Sequence, residues 1–292
     1  MTVRDRERFK EIIAESYNIY ADLYEKKKRL QTVNLNNLLT IMTKCCGHSG
    51  VLPSGSYLDV GCGTGNLFSI LEQISEQIGG YSYVGVDIAS EMIRVAKDTY
   101  SKGDFRVGDA EHLVFEDASF DFVISNSVMH WLNNPSIGVS PKRALSECLR
   151  VLKRDGKLGV SVAGVGTARR FQRAYKSVIQ WYFNSYVGHE SGISFRSDPI
   201  GSMNLYEVVD MLLDVGFNVY DARLTYEPVI YRNTLDYVQD VRAYGFGPYM
   251  SLLKEDVRES VWTAIANEFV SAVGRGPYIH DQYMIYVVCT RS

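Results

Sequence analysis

Residues 58–66 read LDVGCGTGN, an apolar run that breaks into glycines at alternate positions (Gly61, Gly63, Gly65) and carries one carboxylate, Asp59. Glycine is costly inside regular elements, so such a cluster marks a turn that something must approach closely. A phosphate, a dinucleotide and another cofactor are the candidates. A phosphate loop needs GxxxxGK[ST], and this turn has no lysine. A dinucleotide turn needs GxGxxG, whereas GCGTGN has Asn66 in place of the third glycine. Asp59 would also repel a pyrophosphate; it suits an ammonium group, reached through a water.

The elements that must position this turn follow from periodicity. Residues 7–28 carry apolar positions at helical spacing, and LNNLLTIMTKCC reads as a second helix. After the break GHSGVLPSG, the strand YLDV is followed by the helix NLFSILEQISEQI, the strand YVGVDI and the helix SEMIRVAKDTYS. The strands DFRVGDA and FDFVISNS, the helix ALSECLRVLK and the strand LGVSVAG continue the alternation. Strands and helices alternating at this spacing predict an α/β fold: a doubly wound, mostly parallel Rossmann-like sheet. The pattern then changes to helices at 168–187, NLYEVVDMLLDVGF closed by Gly216, 234–244 and 251–273, a strand region VYDARLTYEPVIY and a last strand QYMIYVVC. No linker separates domains. We read 1–50 as an N-terminal helical lid and 51–292 as the ligand-binding domain, with helical cap insertions at about 165–205 and 232–276.

In this order the motifs resemble those of the class I S-adenosylmethionine-dependent methyltransferases, closely over residues 55–165 and more loosely beyond. LDVGCGTGN resembles the first motif, which faces the methionine part of the cofactor; VGVDIASEMI resembles the second, where Asp87 would accept both ribose hydroxyls. FRVGDAEHL resembles the third, where Asp109 would accept from the adenine amine and the Ala110 N–H would donate to a ring nitrogen. FDFVISNSVMHWL resembles the fourth, where cofactor and substrate meet, and VLKRDGKLGVSV the helix and fifth strand that follow. The resemblance implies S-adenosyl-L-methionine as cofactor, in contact with Tyr24, Asp59, Gly61, Cys62, Gly63, Asp87, Ile88, Met92, Asp109, Ala110, Glu111 and Asn126. It also implies an antiparallel last strand. HWL, LLDVGF, TLDYVQDVRAYG and YMIYVVCTR are further similar to the malonyl-acyl-carrier-protein and trans-aconitate carboxyl methyltransferases. A carboxylate oxygen is therefore the expected acceptor, with an aromatic ring carbon, a phenol oxygen or a nitrogen as the alternative. The aromatic insertion QRAYKSVIQWYFNSYVGHE departs from both relatives and favours a bulkier acceptor. A non-catalytic module that only binds the cofactor is the reading from another class.

Transfer from a sulfonium is an in-line displacement that depends mostly on alignment. A base is needed only where the nucleophile starts protonated. His130 is the candidate, with two roles open: a base near its ordinary pKa, or a group that orients substrate and moves no proton. Trp131 beside it would line the substrate pocket or cover the sheet. Tyr17, Tyr20 and Tyr24 share a helix face; Tyr20 or Tyr24 would reach the site, or the stripe would be core. A carboxylate substrate predicts an arginine at the methyl group, from among Arg169, Arg170, Arg196 and Arg242, and we take Arg169 as the substrate-binding candidate.

Composition bounds the partners. In 292 residues, 46% hydrophobic and 22% charged with a net charge of −3, there is no basic footprint for nucleic acid. The opening MTVRDRERFK has no apolar signal core and no run is long enough to span a membrane. Five cysteines without a CxxC pair suit a reducing, cytoplasmic setting and offer no metal site. The expected partner is a small molecule, in keeping with specialised metabolism; the oligomeric state is open.

Overall fold

A computed structural model describes residues 3–47, 52–134, 138–186, 200–244 and 248–291. The chain opens with α1 (Val3–Lys27) and α2 (Arg29–Cys45). It continues through β1 (Gly55–Val60), α3 (Asn66–Gln73), α4 (Ser75–Ile78), β2 (Tyr81–Asp87), α5 (Ser90–Thr99), β3 (Asp104–Val107) and β4 (Phe120–Asn126). A 3₁₀ turn, Met129–Leu132, precedes α6 (Lys142–Val151), β5 (Leu152–Ala163), α7 (Arg169–Tyr186) and α8 (Leu205–Val215). Then come β6 (Asn218–Tyr226), β7 (Val229–Tyr231), α9 (Thr234–Ala243), α10 (Glu255–Val273), β8 (Tyr278–His280) and β9 (Tyr283–Thr290).

Seven strands form one sheet in the order β3-β2-β1-β4-β5-β9-β6. Pairings from β3 through β5 are parallel, and β9 runs antiparallel to both its neighbours. This is the expected doubly wound α/β fold with an antiparallel last strand. Its parallel strands read as unbroken apolar runs because helices cover both faces. On one face Leu145, Cys148 and Leu212 of α6 and α8 pack on Leu58, Val160 and Ile285. On the other, Leu38, Met42, Leu67 and Ile93 of α2, α3 and α5 pack on Tyr57, Ile124 and Tyr286. The strand order reverses at β1, with β2 on one side and β4 on the other, so a crevice opens at their carboxyl ends.

The two N-terminal helices do different jobs: α2 joins the layer on the sheet, whereas α1 crosses α5 and α9. A separate core joins α1 to α7, α9 and α10, built on Phe171, Tyr175, Tyr237, Trp262 and Phe269. Within the aromatic insertion, Tyr175 is fully buried in this cap core beside Phe171 and does not line the crevice. The strand region at 219–231 divides at Pro228, which cannot donate to a ladder. β6 joins the main sheet, while β7 forms a small sheet with β8, a three-residue strand that the sequence reading did not include. Among the described residues no helix is long and apolar enough to cross a membrane.

Candidate active site

The crevice holds a cavity that opens to solvent, floored by the glycine turn and roofed by α1. The three glycines have different reasons. Gly61 and Gly63 line the cavity at φ +75° and +53°. A Cβ on Gly61 would lie 2.3 Å from Val128 Cγ2, so its absence lets the segment leaving β4 pass under the turn. A Cβ on Gly65 would lie 2.9 Å from Phe105 Cζ; this glycine serves packing, not a ligand. The turn also spends its own donors. Gly61 and Cys62 N–H donate to Val86 O, Gly65 N–H to Cys62 O, and Gly63 N–H to Asp87 Oδ2 at 2.9 Å. A phosphate needs such amides free, so the turn is no anion cradle.

Asp87 closes β2 and accepts from Gly63 N–H and, at 2.9 Å, from Ala89 N–H. Burial pushes its carboxyl up from the ordinary range, against those two bonds. Ile88, Met92 and Ala110 line an apolar slot beyond it, and Asp109 ends that slot. A carboxylate for a diol, an apolar slot for a flat base and a second carboxylate for its amine together fit the nucleoside of S-adenosylmethionine. Tyr24 lies over Gly63, its hydroxyl 3.6 Å from where a Cβ would stand. Burial, then Asp87 and Asp59, push that hydroxyl far up, so it remains a protonated donor.

At Asp109 the end of α1 intrudes. Lys10 lines the cavity with Nζ 2.5 Å from Asp109 Oδ2 and 3.3 Å from Glu111 Oε2, while Arg6 pairs with Glu111 through two nitrogens. Burial alone would raise the Asp109 carboxyl, but the Lys10 ammonium and the Glu111 N–H outweigh it and hold it below the ordinary range.

Beyond β4 the cavity is aromatic. Trp131 meets Tyr17 edge to face with ring centres 5.9 Å apart, and the Tyr17 hydroxyl donates to Tyr244 O at 3.4 Å. Ile13, Leu132, Gln31 and Ser127 complete this wall. Ser127 sits at φ +60°, a strained value for a residue with a Cβ. It is held by Ser161 Oγ, which accepts its N–H at 3.0 Å. His130 is buried and lines the cavity; its Nδ1 accepts from Ala163 N–H at 3.3 Å. The neutral ring's proton therefore belongs on Nε2, which makes His130 a donor in this geometry.

Of the residues picked out in the sequence, Tyr24, Gly61, Gly63, Asp87, Ile88, Met92, Asp109, Ala110, Asn126, His130 and Trp131 line this one cavity. Asn126 is nonetheless tied into the protein: Oδ1 accepts from Ser161 Oγ at 2.7 Å, and Nδ2 donates to Gln31 O at 3.0 Å. Others stand elsewhere. Asp59 is buried behind the turn, accepting from the Tyr83 hydroxyl at 3.2 Å, and burial pushes its carboxyl up to about 7. Cys62 packs in the core under the sheet, and Glu111 lies behind Asp109 on Arg6. Tyr20 turns into the cap core, where its hydroxyl accepts from Trp262 Nε1 at 2.8 Å. Arg169 is exposed at the start of α7 and does not line the cavity. Sequence reasoning missed Lys10, Ile13, Gln31, Ser127 and Tyr244 as lining residues. A signal existed for α1: Lys10, Ile13, Tyr17 and Tyr24 follow helical spacing, and a lysine inside an apolar stripe needs a partner.

Residues 58–160 match the profile of the methyltransferase domain family. The chain is 28% identical over 183 residues to a demethylmenaquinone methyltransferase of Thermotoga maritima, covering 60% of this chain and 72% of that one. It is 26% identical over 167 residues to a malonyl-[acyl-carrier protein] O-methyltransferase of Pectobacterium atrosepticum, covering 57% of this chain and 59% of that one. The Geobacter sulfurreducens enzyme of the same name is 33% identical over 133 residues, and the match spans 44% of this chain and under half of that enzyme, 46%. In fold, the chain resembles the YcgJ protein of Bacillus subtilis (TM-score 0.53, 18% identity, covering 88% of this chain and 99% of that one). It also resembles the [4+2]-cyclase SpnF (TM-score 0.51, 18% identity, 88% and 80% covered). With the motifs in order on their strand ends, residues 58–160 match a methyltransferase domain set in a Rossmann-like α/β fold.

Proposed function

We propose that the protein moves the methyl group of S-adenosylmethionine onto a flat, largely apolar and uncharged small molecule seated against Trp131. The observation that carries this reading is the wall beyond β4, made of Trp131, Tyr17, Tyr244, Ile13 and Leu132. Among the described residues the one lysine or arginine lining the cavity is Lys10, and it is committed to Asp109. The cofactor, when bound, supplies a methyl already activated on its sulfonium, which leaves alignment and exclusion of water to the chain. Trp131 and Tyr17 offer ring faces and edges to a flat acceptor. His130, with its proton on Nε2, orients an oxygen of the acceptor by donating to it. To take a proton there it would first have to give up its own and turn away from Ala163 N–H. The name of the Thermotoga relative, for a quinone, is in keeping with such an acceptor.

A carboxylate acceptor is the second reading, favoured by the names of the Pectobacterium and Geobacter relatives. It needs a cation at the methyl group, because a buried, unpaired carboxylate is costly. Arg169 and Arg170 are exposed, and Arg242 pairs with Glu259 and lies over Tyr20 and Trp262; Arg196 is outside the described residues. Calorimetry separates the readings. S-adenosylhomocysteine is titrated first, then its complex is titrated with matched phenols, quinols, amines and carboxylic acids. Heat from the uncharged ring compounds alone supports the proposal, and heat from the acids alone replaces it with the second reading. Cofactor binding with no acceptor and no turnover would leave a binding module.

A further inference from the structure

We infer that Lys10 of α1 is a positioning residue for the cofactor, holding Asp109 ionised and aimed so that the adenine end accepts an amino-bearing base. The inference rests on the methyltransferase reading above. Asp109 and Glu111 are carboxylates two residues apart, and Glu111 is fully buried in its side chain. Two such groups need two cations, and α1 supplies both from one face, four residues apart.

The pairing is divided. Arg6 takes Glu111 through Nε at 2.8 Å and through a second nitrogen, which leaves Lys10 to Asp109. Lys10 is itself 3% exposed and is fixed further by Glu7 Oε1 at 2.8 Å. Asp109 is held at both oxygens: Oδ2 by Lys10, with the exposed His112 at 3.5 Å, and Oδ1 by Glu111 N–H at 2.9 Å. Each carboxylate oxygen has a second lone pair, and Asp109 lines the cavity beside Ala110. An ionised, oriented carboxylate there can only accept. It rewards an exocyclic amine and repels an exocyclic carbonyl. Without Lys10 the half-buried Asp109 loses the cation that holds its carboxyl low and fixes Oδ2, so its preference for an amine over a carbonyl narrows.

The test measures binding of S-adenosylhomocysteine and of its inosine counterpart, which carries a carbonyl in place of the amine. Wild type should prefer the adenosine form by about 100-fold, the size of a charged hydrogen bond made or lost. Lys10→Met should shrink that ratio to about tenfold or less, and Lys10→Arg, which keeps the cation, should restore most of it. Thermal unfolding of all three proteins shows whether each is folded. If Lys10→Met weakens both ligands equally and keeps the ratio, Lys10 only fastens α1 and the inference is wrong. If it changes neither, or tightens adenosine binding, the inference is also wrong. Wild type binding neither ligand would remove the cofactor assignment itself, a different failure visible before any variant is made.

Discussion

At one end of the cavity, Arg6, Lys10, Asp109 and Glu111 are paired charge against charge; beyond β4, Tyr17, Trp131 and Tyr244 present ring surface and His130 one directed donor. The first region recognises by direction. A ligand that cannot satisfy a fixed carboxylate leaves it unpaired in a buried place, a penalty larger than the gain from a correct bond. The second recognises by shape, where one methylene more or less is worth only about 1–3 kcal/mol. On the proposed reading, the cofactor is thus narrowly specified and the acceptor broadly. The fold alone sets no chemistry, since it is shared with a protein named as a [4+2]-cyclase.

Variants on either side can break or sharpen this contrast. Asp87→Ala should weaken S-adenosylhomocysteine binding by about 100-fold, since it removes a charged acceptor for two hydroxyls; unchanged calorimetric affinity would remove the ribose assignment. Trp131→Ala should raise the acceptor's KM about tenfold and leave cofactor affinity unchanged. A matching loss of cofactor affinity would mean that the two regions are not separable. His130→Ala should slow turnover about tenfold and His130→Gln, which keeps a donor, about threefold, while a loss near 1000-fold in both would make His130 a base after all.

The smallest effect concerns Asp59, whose carboxyl is pushed up by burial, to about 7. Its folded pKa lies above the unfolded one, so the wild-type fold loses stability as pH rises from near 4 to 7. Asp59→Asn lacks that loss. Without ligand its melting temperature should rise relative to wild type across that window and level off above it. A flat difference across pH would mean that Asp59 is ionised throughout.

Asp87 and Asp109 were legible as cavity residues because Asp87 closes β2 and Asp109 follows β3 by two residues, and a strand's end fixes a side chain within a turn or two of sequence. The glycine turn was legible for the same reason, although Gly65 turned out to serve Phe105. Lys10 was not, because its partner lies 99 residues away and RDRERFK alone is an ordinary charged helix start. Tyr20 shows the limit of helical periodicity. It shares a stripe with Tyr17 and Tyr24 but sits at its edge, and Trp262, distant in sequence, draws it to the cap. Arg169 was judged from its place after β5, and nothing local told that α7 would point it outward. Asn126 was placed correctly at the cavity, but its use as a tie between Ser161 and the backbone of Gln31 depends on α2, which no spacing in β4 encodes.

Lys10, Tyr17 and Tyr24 belong to one uninterrupted helix, yet they serve Asp109, the aromatic wall and the glycine turn in turn. Their agreement is a matter of phase. Inserting a single residue between Ile13 and Tyr17 would rotate Lys10 by about 100° against Tyr17 and Tyr24. The tyrosines would keep their places while the ammonium swung off Asp109, a change that leaves every side chain present and only the count between them altered.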